Sequence, residues 1–198
     1  MDPIEKPTRR RGAELETAIL DAARDELLAG GYSGFTIEGV AERAGTSRHV
    51  VYRRWSTRQE LALAAMRHDM VRAPVAIPDT GTLRGDLIAL MSRANETRMA
   101  MAAVFSLHLG TYYQETGMTP DSLREELLGG RTISTDVILD RAIARGEVDP
   151  AALTPRRRGL AGDLFRHEVL MTLKPIPKPV IEELVDIALD ALGVRRVE

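Results

Sequence analysis

Apolar side chains recur along this chain at the three- and four-residue spacing of helices, and glycine and proline separate the runs. Leu15, Ile19, Ala22, Ala23 and Leu27 predict a first helix from Ala13 to Ala29, ended by Gly30 and Gly31. Thr36 is placed to cap a second helix, with Glu38 in its first turn and Ile37, Val40, Ala41 and Ala44 on its apolar face. Gly45 ends that helix and can take a positive φ without steric cost. Ser47 is placed to cap a short third helix through Trp55. Ser56 with Gln59, and Thr57 with Glu60, both fit the capping box of a fourth. Pro74, Pro78 and Gly81 then break helical continuity and mark a boundary between two parts.

Beyond that boundary the pattern predicts helices from Thr82 to Glu96 and from Arg98 to Gln114. Thr119-Pro120 starts another, running toward Arg145 with a weak point at Gly129-Gly130. Thr154-Pro155 repeats the start signal for a helix to Leu173. After the rigid KPIPKP connector, Val180, Ile181, Leu184, Val185, Ala188, Leu189 and Leu192 form the stripe of a last helix. The expected fold is all-α, with about nine helices. Residues 1–12 read as a basic flexible arm, 13–73 as a three-helix helix-turn-helix domain, and 74–198 as a larger helical domain.

Composition agrees with this pattern. Aromatics make up only 4% of the 198 residues, while Ala, Leu, Arg and Glu dominate, which favours helix over sheet. There is no cysteine, which removes disulfides and thiolate metal sites and fits a cytoplasmic protein. No apolar run approaches the roughly 20 residues needed to cross a bilayer, so no membrane partner is expected. No dinucleotide, P-loop, zinc-protease or nucleophile-elbow motif is present, and the four histidines are scattered. No catalytic residue, metal site or cofactor is therefore expected. A helical-bundle enzyme remains a rival reading that only a buried polar cluster would revive.

The net charge of −2 does not point to nucleic acid, but its distribution does. Between Arg43 and Arg58 there are five arginines and no acid, interleaved with Val50, Val51, Tyr52 and Trp55. A helical wheel resolves the mixture. Val51 and Trp55, four apart, share an inward face, and Arg48, His49, Tyr52 and Arg53 occupy the opposite one. Two short helices joined by a glycine turn, with such a face bare, form a helix-turn-helix able to enter a major groove. Val50 lies between the faces and suits a thymine methyl. Arg54 and Arg58 suit phosphates, and Tyr52 can hydrogen-bond a phosphate oxygen. The plainer alternative is a solvated arginine face on an ordinary helix pair. Arg9, Arg10 and Arg11 of the arm suit either a minor groove or a solubilising tail.

The run GFTIEGVAERAGTSRHVVYRRWSTRQELALAAM carries a specific resemblance. Residues 13–66 resemble the DNA-binding domain of the tetracycline-repressor (TetR) family of transcriptional regulators. The shared pattern is Thr36, Ala44-Gly45, Ser47, Tyr52, Trp55 and Arg58. The resemblance implies that Thr36, Ser47, Arg48, His49, Tyr52, Arg53, Arg54 and Arg58 contact DNA, with Trp55 in the core. Thr46 joins these candidates, although it stands where the family usually has an apolar residue, and His49 stands where it usually has a small one.

The resemblance further implies a homodimer on a two-fold double-stranded DNA operator, built on the last two helices, and a small-molecule effector that releases DNA. Leu164, Val169, Leu184, Leu189 and Leu192 are the interface candidates, unless they fill the core of the single chain. Met91, Met99, Met101, Phe105, Leu109, Tyr112 and Tyr113 are adaptable or aromatic enough to line a ligand pocket, although such a stripe is equally suited to a core. Arg98, His108, Arg166 and His167 are the polar candidates. The expected function is a ligand-responsive repressor, cytoplasmic and nucleoid-associated when bound. A regulator without a small-molecule effector is the alternative.

Overall fold

The computed structural model of the protein describes residues 12–72, 76–129 and 134–194, with the backbone alone for 97–108. Among these residues there are ten α-helices and no strand: α1 Ala13–Gly34, α2 Ile37–Arg43, α3 Arg48–Tyr52, α4 Arg58–Arg72, α5 Leu83–His108, α6 Gly110–Thr116, α7 Pro120–Leu128, α8 Ser134–Ala144, α9 Pro155–Thr172 and α10 Lys178–Ala191. The chain forms two compact units. One holds α1–α4 together with Leu109–Met118, which contains α6; the other holds α5 and α7–α10.

In the first unit α1 packs on α4, α2 and α6. Ile19, Ala23, Tyr32, Phe35, Val40 and Val51 are fully buried, and Leu61, Ala62, Ala65 and Met66 bury one face of α4. The first helix breaks at the Gly30-Gly31 pair, as the sequence predicts. Gly31 takes φ 61° and ψ −174°, and the chain resumes one helical turn to Gly34. This break re-aims the chain and allows Tyr32 and Phe35 to stack with ring centroids 6.2 Å apart. Tyr112 of α6 meets the Tyr32 ring edge-on at 5.0 Å. That burial is why a segment from beyond residue 73 belongs with the helix-turn-helix unit.

The second unit is centred on α5, which packs on α8, α9 and α10. Its core contains Leu83, Leu87, Met91, Ile138, Leu139, Val169, Ile181, Val185, Leu189 and Leu192. The two helices expected over 82–114 are instead one helix of 26 residues and a separate short one, because no proline or glycine interrupts 86–109. The stretch from Thr119 to Arg145 divides at Gly129, which takes φ 55°. Thr119 opens α7 with a reciprocal Thr–Ser capping box.

Polar side chains fix the ends of these helices. The Asn95 amide donates to the Ile176 carbonyl at 3.0 Å and accepts from the Ile176 N–H at 2.8 Å, tying the α9–α10 connector to α5. Arg84 holds Asp186 through two bonds of 2.7 and 3.1 Å. Asp86 is wholly buried, and its Oδ1 accepts from the Thr80 N–H at 2.5 Å and the Thr80 hydroxyl at 2.8 Å. Arg145 reaches its other oxygen at 3.4 Å. Gly85 is required beside this clasp, since a Cβ there would stand against the Thr80 hydroxyl.

Asp86→Ala leaves the Thr80 donors without their acceptor and strips Arg145 of one partner. Loss of about 1–3 kcal/mol is expected in urea unfolding, with the far-ultraviolet helix signal retained.

Candidate nucleic-acid interface

The interface begins with the turn between α2 and α3. Thr36 opens α2, its hydroxyl oxygen accepting from the Gly39 N–H at 3.0 Å. At the other end Gly45 takes φ 66°. The Thr46 N–H bonds the Ala41 carbonyl at 2.9 Å and the Gly45 N–H bonds the Glu42 carbonyl at 3.0 Å, a Schellman closure that turns the chain tightly into α3. Ser47 occupies the N-cap of α3, but its side chain makes no capping bond, contrary to the expectation from sequence. The α3 backbone is held by its own bonds, including Val51 N–H to the Ser47 carbonyl at 3.3 Å.

Helix α3 has only five residues, and Val51 is the one it buries completely. Arg48, His49, Tyr52 and Arg53 all lie exposed on the opposite face, with Tyr52 46% accessible. Val50 and Thr46 are half-buried at its edges, and Ser47 and Thr36 are exposed. Trp55 departs from the sequence reading. It lies beyond the end of α3 and is half-buried, lining an open groove with Leu20, Leu63, Ala64 and Val71 rather than filling the core.

The five arginines are not equally free. Arg43 is bound to Glu26 at 2.7 Å. Arg48 lies 3.8 Å from Glu38, with 73% and 59% of the two side chains exposed, a loose pair of little energetic consequence. Arg54 stands 4.0 Å from Glu16. Among the described residues Arg53 has no ion pair. Arg58, expected to meet a phosphate, is held instead by Glu115 of α6. Its Nη2 pairs with one carboxylate oxygen, its Nε lies 3.3 Å from the other, and its guanidinium carbon sits 4.6 Å over the Tyr32 ring.

The Tyr32 hydroxyl and the Gln59 amide also donate to Glu115, at 2.9 and 3.0 Å. Hydrogen bonds from Arg58 and then Tyr32 hold the Glu115 carboxyl below the usual carboxylate range. Burial, followed by the bond to Glu115, pushes the Tyr32 phenol up, so it remains a donor. Beside this cluster a concave site of about 310 Å³ is lined by Thr36, Tyr52, Ser56, Thr57, Arg58 and Gln59 among others. Thr57 caps α4 by accepting from the Glu60 N–H at 3.1 Å, and Glu60 accepts in return from the Ser56 N–H at 2.7 Å. Sequence reasoning missed Glu115 and Tyr32, because nothing local links residue 115 to residues 32 and 58.

The other candidates fall in several places. Met91 is buried in the core of the second unit. Leu109 and Tyr112 are buried in the first unit, and Tyr113 is half-buried there, so these three pack with the helix-turn-helix unit rather than among the helices of the second. The side chains of Met99, Met101 and Phe105, with Arg98 and His108, lie outside the described residues, as do Arg9, Arg10 and Arg11. Arg166 and His167 are exposed on α9, where Arg166 pairs with Asp163 at 2.7 Å. Val169, Leu189 and Leu192, proposed for a dimer interface, belong to the core of the single chain, where close packing leaves them 3%, 3% and 6% accessible. Leu164 and Leu184 remain half-buried, alongside exposed Met171 and Ile187. Among the described residues no helix is long and apolar enough to cross a membrane.

Comparison with known proteins places this architecture. Residues 19–65 match the family model described as bacterial regulatory proteins, tetR family, and residues 77–188 match the one described as tetracyclin repressor-like, C-terminal domain. A DNA-binding transcriptional repressor TetR from Mycobacteroides abscessus is 29% identical over 176 residues, covering 89% of this chain and 92% of its own. The regulator AqdR from Rhodococcus erythropolis is 30% identical over 140 residues, covering 70% and 66%. Among solved structures, a tetR-family regulator from Streptomyces coelicolor superposes with a TM-score of 0.70 at 17% identity, covering 93% of this chain and 82% of its own. FadR from Bacillus subtilis, in complex with stearoyl-CoA, does so with a TM-score of 0.62 at 20% identity, covering 90% and 96%. These relatives are regulators, not enzymes, and with both family models matched in order along its length, the chain belongs to the TetR family of helix-turn-helix transcriptional regulators.

Proposed function

We propose that the protein is a repressor that reads a two-fold operator as a homodimer through the exposed face of α3 and is released by a small molecule held in the second unit. The observation that carries this reading is the division of α3. Val51 anchors the helix, while Arg48, His49, Tyr52 and Arg53 stand bare on a rigid turn. Arginine forks match guanine edges in a major groove, and Tyr52, Thr36 and Thr57 offer hydroxyls to the flanking phosphates. Thr46, Ser47 and Arg54 lie at the rim, where backbone contacts fit better than base contacts. Repression follows the role named for the Mycobacteroides abscessus relative.

One head of this size contacts few bases, so a second copy is needed to span half-sites about 34–36 Å apart. The α9–α10 surface supports that role. Leu164 and Met171 on α9, with Leu184 and Ile187 on α10, remain partly or largely accessible in the single chain. An effector in the second unit is supported by the matched C-terminal family model, and by the FadR relative's stearoyl-CoA as an example of a small molecule held on this fold. Acting on chromosomal DNA, the protein works in the cytoplasm, on the nucleoid when bound.

Selection of bound genomic fragments supplies the operator. Arg48→Ala and Arg53→Ala are each expected to weaken operator binding by roughly 5- to 150-fold, measured by fluorescence anisotropy at fixed salt. Unchanged affinity in both would remove α3 as the reading element. Ile187→Glu places a charge on the proposed dimer face. Sedimentation equilibrium should show a folded monomer, with operator affinity reduced by roughly 100-fold or more; an intact dimer would place the interface elsewhere.

A further inference from the structure

We propose that Glu115 is a built-in competitor for DNA: its carboxylate takes the donors, Arg58 foremost, that a backbone phosphate would otherwise use at the start of α4. The proposal rests on the reading that α3 faces the duplex, and it concerns the next contact along the same surface. Arg58 lies at the edge of the concavity formed by Thr36, Tyr52, Ser56, Thr57 and Gln59. It is the cation of that concavity, yet two of its guanidinium nitrogens are engaged by Glu115. Gln59, on the first turn of α4, turns its amide to the same carboxylate at 3.0 Å. The Tyr32 hydroxyl supplies a further donor at 2.9 Å.

The cluster therefore resembles an anion site whose anion is supplied by the chain itself. A carboxylate and a phosphate both accept paired bonds from a guanidinium fork, so the two exchange without rebuilding the site. While Glu115 is bound, it neutralises Arg58 and adds a negative charge where a phosphate would approach. Both effects oppose DNA binding. Once a phosphate displaces the carboxylate, the two guanidinium nitrogens it held are open to that phosphate, while Nη1 stays within 3.5 Å of the Phe35 carbonyl. Helix α6 follows α5 directly in the chain, through Leu109.

The contact is a modest one. The Arg58 and Glu115 side chains are each 31% accessible, and such pairs are weak enough to break on binding. That suits a competitor, which must yield to the phosphates of a bound duplex.

The test uses the full chain and a duplex of arbitrary sequence about 30 base pairs long, enough for two half-sites one turn apart. Non-specific binding is dominated by phosphate contacts, so no operator is needed. Glu115→Gln is expected to bind roughly 3- to 10-fold tighter than the parent, with the slope of log K against log salt steeper by about 0.9 per chain for one phosphate regained. Glu115→Asp keeps the charge but falls a methylene short of Arg58, so it should show a smaller gain. Adding Arg58→Gln to either variant should abolish the gain, and circular dichroism confirms that each remains helical. Equal or weaker binding by Glu115→Gln overturns the proposal. So does a gain that survives Arg58→Gln, and so does Glu115→Asp indistinguishable from the parent, since charge alone would then suffice. Arg53→Ala in the parent keeps the readings apart. If it weakens binding while Glu115→Gln does not tighten it, the competition fails and the α3 interface stands; if Arg53→Ala has no effect, the α3 interface is what fails.

Discussion

A helix of five residues cannot hold itself together in water, because nucleation costs more than one and a half turns return. The candidate reading helix of this protein depends on that constraint. Helix α3 persists because Val51 is wholly buried and because the Gly45 turn delivers the chain to it at a fixed angle. The left-handed conformation at Gly45 is open to glycine at little cost and strained for most other residues. Shortness then becomes useful. With one apolar anchor facing in, nearly every other side chain of α3 is free to face out, and the exposed face can be dense in donors without any acid among them.

The electrostatics around that face follow from which acids the fold brings near. Along the sequence the arginines from 43 to 58 have no carboxylate between them. In three dimensions α1 brings Glu26 to Arg43, α2 brings Glu38 loosely to Arg48, and α6 brings Glu115 to Arg58. The positive field is thereby concentrated on α3 itself, at Arg53 and the loosely held Arg48. The flanks are neutralised by partners that can be withdrawn only if their helices move. At the start of α4 the carboxylate of Glu115 thus occupies donors of Arg58 and Gln59, while α3 keeps its exposed face.

The second unit is built differently. Its core is aliphatic and its helix ends are fixed by side chains that bond backbone, as with Asn95 on Ile176 and Asp86 on Thr80. The buried Asp86 is tolerable because its oxygens are satisfied by three donors. Such anchoring leaves Leu164 and Met171 of α9 and Leu184 and Ile187 of α10 partly or largely accessible. Of the seven apolar residues of the last stripe, Ile181, Val185, Ala188, Leu189 and Leu192 are buried in this core, and Val180 and Leu184 are half-buried.

The sequence by itself determined the all-helical class, the α2–Gly45–α3 turn, the inward Val51 and outward arginines of α3, and the break at Gly129. Each of these follows from local rules: helical periodicity, the φ freedom of glycine and the geometry of caps. Their partners are within a few residues, so no knowledge of the rest of the chain is required. What only the tertiary structure decided is where distant segments meet. Helix α6 joined the helix-turn-helix unit because the Tyr112 ring found Tyr32, eighty positions earlier. Arg58 lost its freedom to Glu115 for the same reason, and Val169, Leu189 and Leu192 went to the core rather than the surface. Periodicity tells which face of a helix is apolar, but not what covers it. Nor can charge spacing reveal a counter-ion carried on another helix, because that pairing is set by packing and not by proximity along the chain.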